Sequence, residues 1–308
     1  MAVECINEKF STTRKLTKAR SNYLRFLSDV SYGSVLDSSR ERKHNEGGLR
    51  TLGLFKSQDI EPIVTVITVA LNAGRGLEET ILSVLNQTYS NIEYIVIDGG
   101  STDEALEVLN KYEHAIDYWV SEPDRGIYDA MNKGIKASTG DWLNFLNAKD
   151  KFCNTNTIQA ISSKYLYGNA KFIYSDVLLA SSNPKDLELT RYTCNHEKLI
   201  VNHQAAIYHK SLHLDYGLYL VAPGLTISDY LFFSLIDRSK YLKVDDPIAI
   251  YDTTGVTQSK RASDQKFVVD YLTNGLPKYK FLFYLNFYFF YKTVKRKIAN
   301  LLKSCKAR

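Results

Sequence analysis

Residues 63–71, IVTVITVAL, form an apolar, β-branched run broken only by threonines. A strand with one face in water alternates apolar with polar residues. A run without that alternation predicts a strand covered on both faces, as in a parallel sheet held between helices. After NAGR the period changes. In GLEETILSVLNQ (76–87), Leu77, Ile81, Val84 and Leu85 fall at i, i+4, i+7 and i+8 and predict one apolar helix face. The order then repeats, with the strand IEYIVID (92–98), the turn GGSTD (99–103), where Ser101, Thr102 or Asp103 can cap, and the helix EALEVLNKY (104–112). IDYWVSEP (116–123) predicts a shorter strand, GIYDAMNKGIKAS (126–138) a helix and DWLNFLNA (141–148) another strand. This alternation specifies an α/β fold with a doubly wound, mostly parallel sheet and right-handed crossovers, whose ligands bind beyond the carboxyl ends of the strands.

The chain has 308 residues, enough for one large α/β domain with appendages or two small ones, and 44% of them are apolar, enough to fill a core. Residues 1–60 are mixed in charge and include DSSRERKHNEGGLR (37–50), too polar to pack a core, so they are expected to be an extension and a linker. Cys5, Cys153, Cys194 and Cys305 lie far apart with no CxxC pair, which suggests neither a disulfide framework nor a zinc knuckle. The opening MAVECINEKFSTTRK has no apolar core behind a basic start, so no secretory signal is expected. No segment reaches the roughly 20 apolar residues that span a bilayer; the cysteine usage suits a reducing cytosol, and a cytoplasmic location is expected. The net charge of +5 is local: residues 277–308 hold nine Lys/Arg and no acid, leaving 30 bases against 34 acids elsewhere. A nucleic-acid partner is therefore not expected, since its binding face would be basic within the folded core.

Asp98 ends a predicted strand before Gly99-Gly100, which leaves its carboxylate at the sheet edge as a functional acid or simply as a turn former. There is no GxGxxG and no GxxxxGK[ST]. In the predicted helix after Gly126, Asp129, Asn132 and Lys133 share one face, which would look toward a ligand, and Ile127, Met131 and Ile135 share the face expected to be buried. Arg125 and the positive helix start could help hold an anion, and the alternative is a salt-bridged surface helix.

VTVITVALNAGRGLEETILSVLNQTYSNIEYIVIDGGSTD (64–103) and SEPDRGIYDAMNKGIKASTGDWLNFLNAKD (121–150) together resemble the nucleotide-sugar domain of family 2 glycosyltransferases, inverting enzymes of the GT-A fold. The resemblance is close from Pro62 to Asp150 and weaker as far as Gly255; it is strongest to bacterial enzymes of exopolysaccharide, capsule and lipopolysaccharide assembly. It implies a Rossmann-like nucleotide-binding half and an acceptor half over residues 61–258, followed by a tail over 259–308. It also implies a UDP- or GDP-sugar donor and a saccharide or lipid-linked acceptor. By resemblance, Val69, Ala70 and Asn72 contact the nucleoside, Asp98 accepts from the N–H edge of the base, and Gly99 and Ser101 permit close approach. Asp124, Arg125, Asp129, Asn132 and Lys133 belong to the donor site. Asn202, His203 and Gln204 form the wall below the sugar. Asn147 and Asp150 stand where most members carry a DxD motif holding Mg²⁺ or Mn²⁺. Related sequences often read LNAGD, and Lys149 departs from both patterns: either it points away from the metal, or its ammonium replaces part of the metal's charge. Asp229 is implied to be the general base, with an N-cap as the other reading and Asp215 as the next candidate. Tyr251, Gly255 and Thr257 match a closing strand and loop.

The tail PKYKFLFYLNFYFFYKTVKRKIANLLKSCKAR (277–308) is too short in its aromatic stretch to span a bilayer, but suits the interface of an anionic leaflet. A helix packed on the catalytic domain is the alternative. Two other functions fit the sheet logic: a sugar nucleotidyltransferase, weakened by the presence of only Gly74 and Gly76 after the first strand, and a nucleotide-sugar-binding paralogue that has lost catalysis through Asn147 and Lys149.

Overall fold

The computed structural model describes residues 5–18, 45–57, 61–180, 189–253 and 260–273. The chain divides into two units, Met1–Val256 and Thr257–Arg308. The described part of the second is the helix Lys260–Thr273; the tail 277–308 and the residues Gly255 and Thr257 lie outside the described residues.

In the first unit the strands are β1 (Leu16–Lys18), β2 (Asn45–Gly47), β3 (Leu54–Lys56), β4 (Val64–Ala70), β5 (Ile92–Asp98), β6 (Tyr118–Ser121), β7 (Trp142–Phe145), β8 (Lys151–Phe152), β9 (Phe172–Tyr174), β10 (Val177–Ala180), β11 (Thr190–Tyr192), β12 (Ala206–His209), β13 (Tyr241–Lys243) and β14 (Ala249–Asp252). The helices are α1 (Gly74–Leu85), α2 (Ala105–Tyr112), α3 (Ile127–Ala137), α4 (Thr157–Tyr165), α5 (Ser211–Tyr216) and α6 (Ser228–Leu235). The main sheet has eight strands in the order β13-β9-β12-β7-β4-β5-β6-β2. Its centre, β7-β4-β5-β6, is parallel throughout. The chain order reverses direction at β4/β7, the switch point where a wound sheet opens a crevice at its carboxyl edge. A smaller sheet runs β11-β10-β14-β8.

Every residue of β4 is buried. Val64, Val66 and Ala70 face one core with Leu77, Ile81, Val84 and Leu85 of α1 and Val108 and Leu109 of α2. Ile67 and Val69 face the other with Tyr128, Met131 and Ile135 of α3. Helices thus cover both faces, which is why the strand never alternates. Asp103, one of the three residues expected to cap, accepts from the Ala105 N–H through Oδ1 at 3.1 Å.

Part of residues 1–60 belongs to this core rather than to a linker. Asn45–Gly47 pairs antiparallel with β6 as the sheet's last strand, and Phe10 packs in the main core. The polar residues that suggested a linker are satisfied by specific partners. Arg50 pairs with buried Glu93 and donates to the Ala137 carbonyl at 2.6 Å, while Glu93 also accepts from Thr65 Oγ1 and the Thr139 N–H. Burial would raise Glu93, but Arg50 and the Thr139 and Thr65 hydrogen bonds hold its carboxyl below the usual range. Lys56, also buried, donates to the carbonyls of Thr12 and Arg14 at 2.6 and 2.9 Å, and burial brings its ammonium down to about 8.

Arg50→Ala leaves Glu93 as an uncompensated buried charge, and should cost about 3–5 kcal/mol in denaturant unfolding. A loss below about 1 kcal/mol would show that the segment is not part of the folded core.

Candidate functional site

The carboxyl ends of β4, β5, β6 and β7 and the loops after them form one rim. Val69 and Ala70 are buried beneath it, with carbonyls accepting from Ala148 and Gly99 N–H groups at 3.2 and 2.9 Å. Asn72, exposed and at φ 50°, joins the first loop to the second: its N–H donates to Ser101 Oγ at 2.7 Å and its Oδ1 accepts from the Thr102 N–H at 2.9 Å.

Asp98 differs from expectation. It is fully buried, and its carboxylate is filled by donors of its own neighbourhood: the N–H groups of Gly100 and Ser101 at 3.2 and 2.8 Å, Ser101 Oγ, and Ser121 Oγ at 2.6 Å. A buried carboxylate needs such donors. Asp98 therefore shapes the rim through these donors. Gly99 is small to admit Asp124, whose Oδ2 lies 2.5 Å from where a Cβ would stand. Asp124, half-buried, is the acid that reaches the rim's surface, with Oδ1 accepting from the Gly126 N–H at 2.7 Å.

On α3 the expected faces are partly exchanged. Met131 and Ile135 are buried as expected, but Ile127 is 45% exposed because it is the helix's first residue, and Asn132 is buried. The Asn132 amide clasps the backbone of Tyr219, donating to its carbonyl at 2.8 Å and accepting from its N–H at 3.0 Å, and so faces the protein instead of a ligand. Lys133 pairs with Glu122 at 2.6 Å. Arg125 pairs with Asp129 at 2.9 Å, its side chain 78% exposed. That hydrogen bond is the main cause of an Asp129 carboxyl held below its usual range.

A row of hydrogen bonds links the end of β7 to helix α6. Asn147 Nδ2 lies 3.0 Å from His203 Nε2, His203 Nδ1 is 2.8 Å from Asp229 Oδ2, and the Tyr128 hydroxyl donates to Asp229 Oδ1 at 2.7 Å. A carboxylate only accepts, so Nδ1 carries the proton and Nε2 accepts from the amide, with Asn147 oriented as assigned. Asp229 lies in the first turn of α6, whose N-cap is Ile227, so the N-cap reading does not hold. Burial would raise the Asp229 pKa; the hydrogen bonds from His203, Tyr128 and the Tyr230 N–H outweigh it and bring it below the ordinary value. Asp215 instead pairs on the surface with Lys240 at 3.4 Å. Tyr128 went unnoticed in the sequence because an aromatic on a helix reads as core; the acid-rich segment around it was the available signal.

Next to this row, Asp150 is buried, with Oδ2 accepting from Gln204 Nε2 and Oδ1 from the Asp252 N–H, both at 2.9 Å. Burial pushes its carboxyl up to about 6. Among the described residues no group of three or more His, Cys, Asp or Glu could hold a metal ion. Asn147 Oδ1 and Gln204 Oε1 are, however, buried without a hydrogen-bond partner. Two unpartnered amide oxygens with the Asp150 carboxylate fit a hard divalent cation bound through oxygen.

The family model for Glycosyl transferase family 2 matches residues 65–214. The uncharacterized glycosyltransferase Rv1514c of Mycobacterium tuberculosis (strain ATCC 25618 / H37Rv) is 32% identical over 213 residues, covering 66% of this chain and 79% of that one. Among solved structures, Staphylococcus aureus TarS 1-349 in complex with UDP-GlcNAc is similar at a TM-score of 0.53 and 16% identity, over 68% of this chain and 65% of that one. The mannosyltransferase PcManGT from Pyrobaculum calidifontis, in complex with GDP-Man and Mn²⁺, is similar at a TM-score of 0.53 and 17% identity, over 71% and 66%. With the rim, the switch point and these similarities together, the chain belongs to glycosyltransferase family 2 and has the GT-A fold.

Proposed function

We propose that the protein transfers a sugar from a UDP- or GDP-sugar to a saccharide or lipid-linked acceptor with inversion, in the assembly of a surface polysaccharide. The observation that carries this reading is the row Asn147–His203–Asp229–Tyr128, which spans from the donor rim to the acceptor helix. TarS and PcManGT, solved with UDP-GlcNAc and with GDP-Man, support the donor class.

The nucleoside lies on Val69, Ala70 and Asn72, and Asp124 meets the N–H edge of the base in the part expected of Asp98. Arg125, whose side chain is 78% exposed, exchanges Asp129 for a diphosphate. Asp229 is ionised at neutral pH and retains about one lone pair beyond those its three donors take. The acceptor oxygen forms a bond to the anomeric carbon, the bond to the diphosphate breaks with its electron pair leaving on the nucleotide, and Asp229 takes the hydroxyl proton. His203 and Tyr128 orient that carboxylate. Asp150, Asn147 and Gln204 would hold a divalent cation. When bound, such an ion screens the charge that develops on the diphosphate. The basic, aromatic tail 277–308 would keep the enzyme on an anionic leaflet beside a lipid-linked acceptor.

Asp229→Asn should lower transfer at least about 100-fold, while UDP or GDP raises the melting temperature of variant and parent alike. Retained turnover would move the base elsewhere. Tyr128→Phe removes one donor from a carboxylate whose folded pKa is depressed. The stability that Asp229 contributes is present above its unfolded pKa and lost as pH falls through the folded value, so the variant should lose less on acidification. Carbon-13 NMR of labelled aspartate should show the Asp229 midpoint moved upward, and an unmoved midpoint would contradict the orientation by Tyr128.

A further inference from the structure

Lys149 sits at φ 83°, in the left-handed region where glycine rests and lysine is strained. The backbone is held there from both sides. Its N–H donates to the Gly76 carbonyl at 3.2 Å and to Thr80 Oγ1 at 2.9 Å, and Thr80 Oγ1 lies 2.8 Å from the carbonyl of buried Asp150. The side chain is cradled as well. A Cβ at Gly76 would stand 2.4 Å from Lys149 Cγ, so Gly76 makes room for the lysine stem. Strain kept in this way is a pointer to function.

The stem leads into a cavity of about 320 Å³, lined by Lys149, Lys151, Glu79, Leu189, Ile250 and Asp252 among others. None of Asn147, His203 and Asp229 lines it, so Lys149 points away from the row proposed for catalysis. Lys151 is neutralised by Glu79 at 2.7 Å, whereas the exposed Lys149 ammonium has no ion pair among the described residues. Asp252, whose N–H binds Asp150, supplies the other acid of the wall. The cavity therefore offers a cation at one point, a hydroxyl acceptor at another and an apolar surface from Leu189 and Ile250 between them. A sugar bearing an acidic group matches all three: anion on lysine, hydroxyl on Asp252, and the C–H face of the ring on the aliphatic wall.

We propose that this cavity is a subsite for an acidic sugar of the substrate saccharide, a uronate whose carboxylate is received by the Lys149 ammonium. The assignment to a substrate rests on the glycosyltransferase reading above, but binding can be tested without turnover. Methyl β-D-glucuronide should shift the amide resonances of residues 149–151 in nitrogen-15 NMR and bind at least about tenfold more tightly than methyl β-D-glucoside, a charge-assisted hydrogen bond being the difference. Lys149→Gln should reduce the glucuronide to the affinity of the glucoside, and Lys149→Arg should keep the preference. Lys149→Gly should lose the preference yet melt about 2–4 °C higher, as the strain is relieved. Equal binding of the two glycosides, or an undiminished preference in Lys149→Gln, would overturn the proposal. So would inorganic phosphate or glucose 6-phosphate binding as tightly as the glucuronide, which would mark a general anion site. Loss of UDP and GDP binding in Lys149→Gln would place the ammonium on the diphosphate instead and also overturn it. Failure of both nucleotides to bind the parent would speak against the donor reading alone.

Discussion

Burial of β4 on both faces is the constraint from which the rest of the site follows. With α1 and α2 on one side and α3 on the other, no functional side chain can stand on the sheet's surface. Polar chemistry is confined to the strand ends. Because β5, β4 and β7 are parallel neighbours, their carboxyl ends bring Asp98, Asn72 and Asn147 to a single edge from positions up to 75 residues apart in sequence. The switch of chain order at β4/β7 opens that edge.

Two kinds of acid stand there, and their surroundings separate them. Asp98 accepts from the turn after β5 and from Ser121 at the end of β6, which ties the rim together. Asp229 is also well supplied with donors, but besides the Tyr230 N–H these are side chains of other elements, one on helix α3 and one on the turn before β12. A change in either half of the molecule thus acts on one carboxylate. Asp150 stands apart from both: burial lifts its pKa to about 6, and neighbouring amide oxygens lack partners. A buried carboxylate beside unpartnered amide oxygens gains most from a positive charge.

The elements from Pro62 to Asp150 were legible because their periods are strong: unbroken apolar strands and a three-to-four residue helical repeat. What was not legible depended on contacts distant in sequence. NEGGLR reads as linker by composition, yet Asn45–Gly47 closes the sheet by backbone pairing and Arg50 finds an acid 43 positions away. Asn132 lies on a polar helical face by spacing, and only the backbone of Tyr219, 87 positions away, turns that face inward. Strand-end Asp98 was identifiable as special, but whether its donors come from a ligand or from its own loop is decided by Ser121 on the neighbouring strand. The same holds for Lys149: its departure from the family pattern was visible in the sequence, while the direction of its side chain depended on Gly76.

The central claim is that the strand-end rim grips a nucleoside diphosphate. Titrating UDP and GDP into nitrogen-15-labelled protein tests it most directly. The account predicts that one of them shifts the amides of Asn72, Ser101 and Asp124 to Gly126 together, with saturation at a single site. Saturable binding that moves none of these resonances, or no binding of either nucleotide, would contradict it.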